Sequence, residues 1–346
     1  MKRILMVLIL AMTLSVFTGC GGKKEVDTEK NDQTALTEET NEENQDGKEV
    51  SKTYFDEKIK VTEETVTFVD SRGEKITIKK NPNRVIGLYA SYLDLWYEAG
   101  GEIVGRLKSS SNIPKAFENA EEVGTMTQPN VEKILEMEPD LVILRQDMKG
   151  QGELIPLFEN NNIPFIAISY DNFREYSYAM RLFTAITDRE DLYQEKVIKI
   201  KDKIDSILKE IPEEKEPSVL LMFATAKGVS VKLENSFVGD MLKDLGAKNI
   251  AYDAKLTDEE MQIFSMEKVL ERDPDFILVQ TMGDIEKIKD RLIKDVEENP
   301  AWGSLRAVKE GRYIILPKNL YLYKPNAKYA QAYEGLAKIL YPEVFK

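Results

Sequence analysis

The chain has 346 residues, with 61 acidic side chains against 48 basic ones and a formal net charge of −13. That balance argues against nucleic acid as a partner, because neutralising phosphates needs a basic face. The chain has no histidine and a single cysteine, so Ser-His-Asp and Cys-His catalysis by its own groups are excluded, and so is any internal disulfide.

In chain order, Lys2 and Arg3 precede an apolar stretch from Ile4 to Phe17, followed by Thr18, Gly19 and Cys20. This is the layout of a secretory signal, and the stretch falls short of the roughly 20 apolar residues a membrane-spanning helix needs. "VFTGC" resembles the bacterial lipobox, with Phe17 where leucine is usual. The resemblance implies a signal peptide over 1–19 and a Cys20 that becomes the first residue and carries fatty acyl groups such as palmitate. The alternatives are an uncleaved signal anchor or a plain signal cut nearby. Residues 23–52 hold ten acidic and five basic side chains and no aromatic one. Such a segment buries too little apolar surface to offset its ordering entropy. Residues 20–58 therefore read as a disordered acidic tether, with a reach of roughly 30 Å.

Thr65–Ile78 alternates around Asp70-Ser71-Arg72-Gly73, the pattern of a β-hairpin. Apolar runs at 84–89, 102–107, 140–145 and 164–169 then alternate with helical patterns at 93–99, 130–138 and 153–160. A second series follows, with strands at 218–224, 276–280 and 312–317 and helices at 237–245, 265–273, 284–296 and 325–340. Short apolar strands separated by amphipathic helices predict parallel sheets with helices on their faces. Gly100 and Gly246 end matching helices. Between the two series, Thr187-Asp188-Arg189-Glu190 has capping-box spacing, and a helical pattern runs from Arg189 to Ile211 before Pro212. About 35 Å long, it reads as a strut between two lobes, or else as a surface helix of one domain. "GQGE" (150–153) reads as a turn and is no dinucleotide fingerprint.

One unit occurs twice: "NVEKILEMEPDLVIL" (130–144) returns as "SMEKVLERDPDFILV" (265–279). A spacing of 135 residues is too long for a solenoid and predicts two similar halves. Glu132 and Glu267 follow the N-cap candidates Asn130 and Ser265 by two residues, where a carboxylate gains from the helix dipole. Capping alone accounts for either one. As a pair they place one acid on each lobe, suited to two basic pockets of a symmetric partner.

The runs "VDSRGEKITIKKNPNRVIGL", "VGTMTQPNVEKILEMEPDLVIL", "SFVGDMLKDLGAKNI", "FSMEKVLERDPDFILV" and "NPAWGSLRAVKEGRYIILP" cover residues 65–317 in order. With them the body resembles the substrate-binding proteins of ABC transporters for iron-siderophores, haem and cobalamin. The resemblance implies an α/β fold of two similar three-layer lobes with mainly parallel sheets, joined by one long interdomain helix. The lobes would span 59–170 and 213–346, with linker helices over 171–212. It also implies a monomer that carries no cofactor of its own and is not an enzyme. Such a protein is held outside the cytoplasm by its lipid anchor. It captures an iron complex, a ferric siderophore or haem, and delivers it to a permease dimer with its ATPase. In that family one glutamate per lobe docks onto permease arginines, and Glu132 and Glu267 match those positions. Cobalamin is the alternative ligand. From other classes, a carboxylate-dependent surface hydrolase or an adhesin or sensor on this fold are the competing readings.

Ligands of open parallel sheets bind beyond the carboxyl ends of the strands. The residues expected there are Tyr89, Ser91, Tyr92, Lys108, Gln146, Met148, Lys149 and Tyr170 in the first lobe. In the second they are Lys227, Lys318, Tyr321, Tyr323 and Lys324. "KNLYLYKPN" (318–326) reads as a cleft loop whose tyrosines pack on a flat ligand and whose lysines meet its anionic groups. A solvated loop is the plainer alternative. Without histidine, axial ligation of a haem iron falls to Tyr89, Tyr92, Tyr170, Tyr321, Tyr323 or Met148. No carboxylate cluster marks a bare-metal site. Lys108, Arg145, Lys149, Lys227, Lys318 and Lys324 read as a local basic focus in an acidic protein, which favours an anionic chelate, or else as cations that pair with surplus surface acids.

Overall fold

A computed structural model of the protein describes residues 58–109, 113–252 and 266–346. The signal segment, Cys20, the tether up to residue 57, Ser265 and the side chain of Lys149 lie outside the described residues.

Strands β1 (Lys60–Val61), β2 (Thr65–Val69) and β3 (Lys75–Lys79) form an antiparallel meander, with Val69 paired to Lys75 across the expected turn. The hairpin closes on Asp70, whose carboxylate accepts from the backbone of Arg72 and Glu74, while Gly73 takes φ +84°. The first lobe's sheet runs in the order β6 (Glu121–Glu122), β5 (Gly105–Arg106), β4 (Val85–Gly87), β7 (Leu141–Arg145), β8 (Phe165–Ile168), all parallel. The second lobe's sheet runs β10 (Gly228–Val231), β9 (Ser218–Thr225), β12 (Phe276–Met282), β13 (Tyr313–Ile315). There β11 (Lys248–Asn249) also pairs with β9, and β10 is the antiparallel member. Two of these strands escape a reading by apolar runs. β6 is two glutamates, and β11 is a Lys-Asn pair.

Why the central strands read as unbroken apolar runs is visible in the core. Alternate side chains of each strand feed different cores, so both faces are buried. Leu141 and Ile143 enter one large cluster together with Val219, Leu221, Phe276 and Leu278 of the second lobe. Their neighbours Val142 and Leu144 enter a core private to the first lobe, and Leu220, Ile277 and Val279 one private to the second. The large cluster is built around the helices Phe173–Ile186, Lys199–Lys209 and Tyr329–Leu340. Each lobe thus has its own outer core and shares an inner one.

The expected strut is helical from Glu190 to Lys209, with a π-turn at Gln194–Ile198. Its capping box does not form. Thr187 ends the preceding helix Phe173–Ile186, and its hydroxyl donates to the carbonyls of Ala99 (2.6 Å) and Phe183 (3.1 Å), so it has no role at the next start. Spacing alone could not tell a first cap from a last one. A second correction concerns 318–324. Lys318–Tyr321 is a helical turn rather than a loop, because the buried Tyr321 anchors it with a hydroxyl that donates to Ala332 O at 3.0 Å. The "GQGE" turn is likewise entered by a short helix, Lys149–Gly152.

The repeated unit does the same job twice. Each copy is a short helix (Val131–Glu136, Met266–Arg272) that ends in a residue of positive φ, Glu138 at +44° and Asp273 at +35°, before a proline and an aspartate. Asp140 then accepts from the backbone of Asn83 and Arg84 at 2.8 Å, just before β4. Asp275 accepts from the backbone (2.9 Å) and hydroxyl (2.7 Å) of Ser218, the first residue of β9. In each lobe the aspartate ties the start of the strand that pairs with its own.

Candidate functional site

Glu132 and Glu267 stand in the first turns of the two equivalent helices, and both are exposed. At the first, the Asn130 side chain accepts from Lys133 N at 3.1 Å and caps the helix, which leaves Glu132 without a capping duty. Among the described residues neither glutamate has an ion-pair partner. The arrangement is two free carboxylates, one per lobe, on matched scaffolds.

At the carboxyl edge of the first sheet, Tyr89 is half-buried and Tyr92 and Tyr170 are fully buried. Tyr92 stacks on Tyr170 with centroids 5.3 Å apart and donates to Ile168 O at 2.9 Å. Tyr170 donates to Asn326 Oδ1 at 2.7 Å. Burial pushes both phenols well above the usual tyrosine range. Asn326, itself fully buried at φ +48°, donates to Ser91 O (2.9 Å) and to Asp94 Oδ2 (2.7 Å). One asparagine of the second lobe therefore satisfies three groups of the first. Beside it the buried Lys324 amine pairs with Asp171 and lies over the rings of Tyr170 and Phe237. Burial lowers the Lys324 pKa, with Asp171 opposing the shift.

These contacts sort the residues expected in the cleft. The phenols of Tyr92, Tyr170 and Tyr321 are spent on internal hydrogen bonds, and so is the Lys324 amine. Ser91 is buried in a first helical turn. Lys108 and Lys227 are exposed, and Lys318 donates to Gly283 O at 2.6 Å. Tyr323 is half-buried, as is Met148, whose sulfur lies 3.2 Å from Gln151 Nε2. Gln146 Oε1 is buried with no partner among the described residues. Arg145, which ends β7, is held by Asp147 through two bonds of 2.6 and 2.7 Å and donates to Tyr89 Oη at 3.1 Å.

A groove of about 820 Å³ is lined by Ser71, Asp171, Arg174 and Glu175 of the first half and by Asn235 and Asp240 of the second. It was not foreseen, since Asn235 and Asp240 lie at and just after a helix start rather than at a strand end. Burial, then Asp244 and Glu175, raise the Asp240 carboxyl to about 6. Because this folded value exceeds the unfolded one, near 3.9, the protonated form favours folding at pH below 4. That contribution is lost as pH rises through 6. Asp240→Asn is expected to stabilise the protein at pH 7.5 by on the order of 1 kcal/mol. Urea melts at pH 4 should show no gain.

Among the described residues no group of three or more Asp, Glu, Cys or His side chains converges to hold a metal ion, and no helix is long and apolar enough to cross a membrane. Two lobes of mainly parallel sheet on a shared helical core are the architecture of a two-lobed binding protein, and none of the residues expected in the cleft lines the groove at Asp171 and Asp240. The periplasmic binding protein family matches residues 85–320, and the chain belongs to it. It is a substrate-binding protein of the kind that serves ABC transporters, and not an enzyme. Such proteins work with a permease and an ATPase on small-molecule ligands.

An ABC transporter substrate-binding lipoprotein of Bacillus subtilis, YvrC, is 26% identical over 291 residues, 81% of this chain and 87% of that protein. The iron-uptake system-binding protein of B. subtilis is 26% identical over 321 residues, 91% of each chain. The crystal structure of Staphylococcus aureus IsdE complexed with heme superposes with a TM-score of 0.63 at 22% identity, covering 75% of this chain and 98% of that one.

Proposed function

We propose that this protein is an extracytoplasmic, lipid-anchored receptor that captures an iron complex, a ferric siderophore or haem, between its lobes and presents it to a permease dimer. The observation that carries this reading is the end-to-end likeness to the iron-uptake system-binding protein, which takes in 91% of both chains. The free carboxylates of Glu132 and Glu267 support the docking role, one per permease subunit. The lobes would be 59–170 and 213–346, with 171–212 between them, and the receptor would act as a monomer. Of the cleft residues, Tyr89, Gln146, Met148 and Tyr323 keep polar or sulfur atoms at hand, and Lys108, Lys227 and Lys318 supply the surrounding charge.

Native mass spectrometry of protein purified from iron-poor medium, with an absorbance spectrum, tests the reading. A co-purifying ferric chelate or tetrapyrrole is the expected result, and a corrinoid would redirect it to cobalamin. The anchor has its own test. Cys20→Ser is expected to release the protein into the medium or leave it unprocessed. A normally processed variant still held at the membrane would refute the lipobox.

A further inference from the structure

We propose that Asp147 holds the place of a ligand carboxylate, occupying the guanidinium fork of Arg145 in the free protein and yielding it to a carboxylate of the bound iron complex. The proposal rests on the receptor reading above and names the ligand chemistry that the first lobe selects.

Arg145 and Tyr89 lie at the carboxyl ends of the adjacent strands β7 and β4, the edge where open parallel sheets take their ligands. The arginine is fixed by groups other than Asp147. Its Nη1 donates to Tyr89 Oη at 3.1 Å, and its guanidinium carbon sits 5.2 Å from the centre of that ring. Its backbone N donates to Gln151 Oε1 at 2.9 Å, and the buried Gln151 donates in turn to Leu88 O at 2.6 Å. Asp147 is held less firmly, by the arginine and by a backbone hydrogen bond within its own residue. Its side chain is 48% exposed against 17% for Arg145, and it stands in the turn that leads into Lys149–Gly152. The rigid member of the pair is the arginine and the replaceable member is the carboxylate.

The geometry says what replaces it. Nε and Nη2 present two parallel donors to the two Asp147 oxygens at 2.6 and 2.7 Å, the pattern with which arginine binds a planar two-oxygen anion. Other cations at the strand ends offer nothing equivalent. The Lys324 amine is taken by Asp171, Lys318 donates to a carbonyl, and a lysine is a point charge without a fork. With Asp147 in place the fork is neutralised, so a stray anion gains little there. A ligand that makes further contacts across the cleft pays once for displacing an exposed carboxylate, which is worth about fivefold in affinity or less.

The test compares wild type, Asp147→Asn, Arg145→Gln and Arg145→Lys, each checked for folding by thermal melt. Four probes are titrated: haem, haem dimethyl ester, ferric citrate and ferrioxamine. Haem against its ester reads a propionate source, and ferric citrate against ferrioxamine reads a siderophore-type carboxylate. Asp147→Asn is expected to tighten the carboxylate probe that binds by about fivefold. Both arginine variants should weaken that probe, and ester and ferrioxamine should be unmoved throughout. Unchanged or weaker carboxylate binding by Asp147→Asn overturns the proposal, as does an equal gain for the ester. A second arm needs no iron complex. The Arg145 Nε–H NMR signal, assigned by its loss in Arg145→Gln, is followed as sodium citrate is added. It should shift at lower citrate concentration in Asp147→Asn than in wild type, and identical titrations would overturn the proposal. If no iron complex binds wild type, the receptor reading fails, while this arm still decides on Asp147.

Discussion

Replacing Glu132 and Glu267 together by alanine is expected to lower uptake at least tenfold while ligand affinity stays within about threefold. Both carboxylates are exposed on first helical turns, and neither has an ion-pair partner among the described residues. Their removal therefore breaks no internal ion pair. At an interface the balance differs, because cutting one partner of a desolvated, hydrogen-bonded charge pair costs about 2–5 kcal/mol. On the proposed docking role, two such losses, one per permease subunit, would leave little productive docking. Each single variant should retain part of the uptake. Normal uptake of bound ligand by the double variant, measured with radioactive iron in cells, would remove the docking role.

Asn326→Leu is expected to be the most damaging single substitution at the lobe junction, at about 4 kcal/mol and roughly 10 °C in melting temperature. The asparagine side chain is fully buried and holds Tyr170, Ser91 and Asp94 through three bonds of 2.7–2.9 Å. Leucine leaves the Tyr170 phenol and the Asp94 carboxylate without this partner, and burial already raises the Asp94 pKa. It also places a branched side chain at φ +48°, where asparagine is tolerated better. Tyr170→Phe cuts one bond of the three and should cost about 1–2 kcal/mol. Equal melting temperatures for Asn326→Leu and wild type would show that the junction does not depend on this residue.

Much of the fold was legible because its strands are buried on both faces. DLVILR and FILVQ can be read without any structure, since adjacent residues such as Val142 and Ile143 both face apolar cores. The twofold organisation was legible too. The aspartate of each copy, Asp140 or Asp275, ties the start of the neighbouring strand through its carboxylate. Illegible were elements made by tertiary contact alone. β6 consists of Glu121 and Glu122, and the turn at Lys318–Tyr321 depends on a hydroxyl reaching Ala332. In the candidate site, the hydrogen-bond partners of the expected residues were not legible. Lys324 and Tyr170 do lie near the lobe junction, yet they are bound to Asp171 and Asn326, the latter partner 156 residues away in the chain. Arg145 was legible only as one of several cations at strand ends, because its setting depends on an aspartate two residues on and on a tyrosine just beyond the neighbouring strand.

The most direct test of the receptor reading is a titration of the purified protein with ferric catecholate, ferric hydroxamate, haem and cobalamin, read by quenching of tryptophan and tyrosine fluorescence. Saturable one-to-one binding of at least one iron complex, at submicromolar concentration, is the result predicted here. Binding of cobalamin alone, or of none of the four, would contradict it.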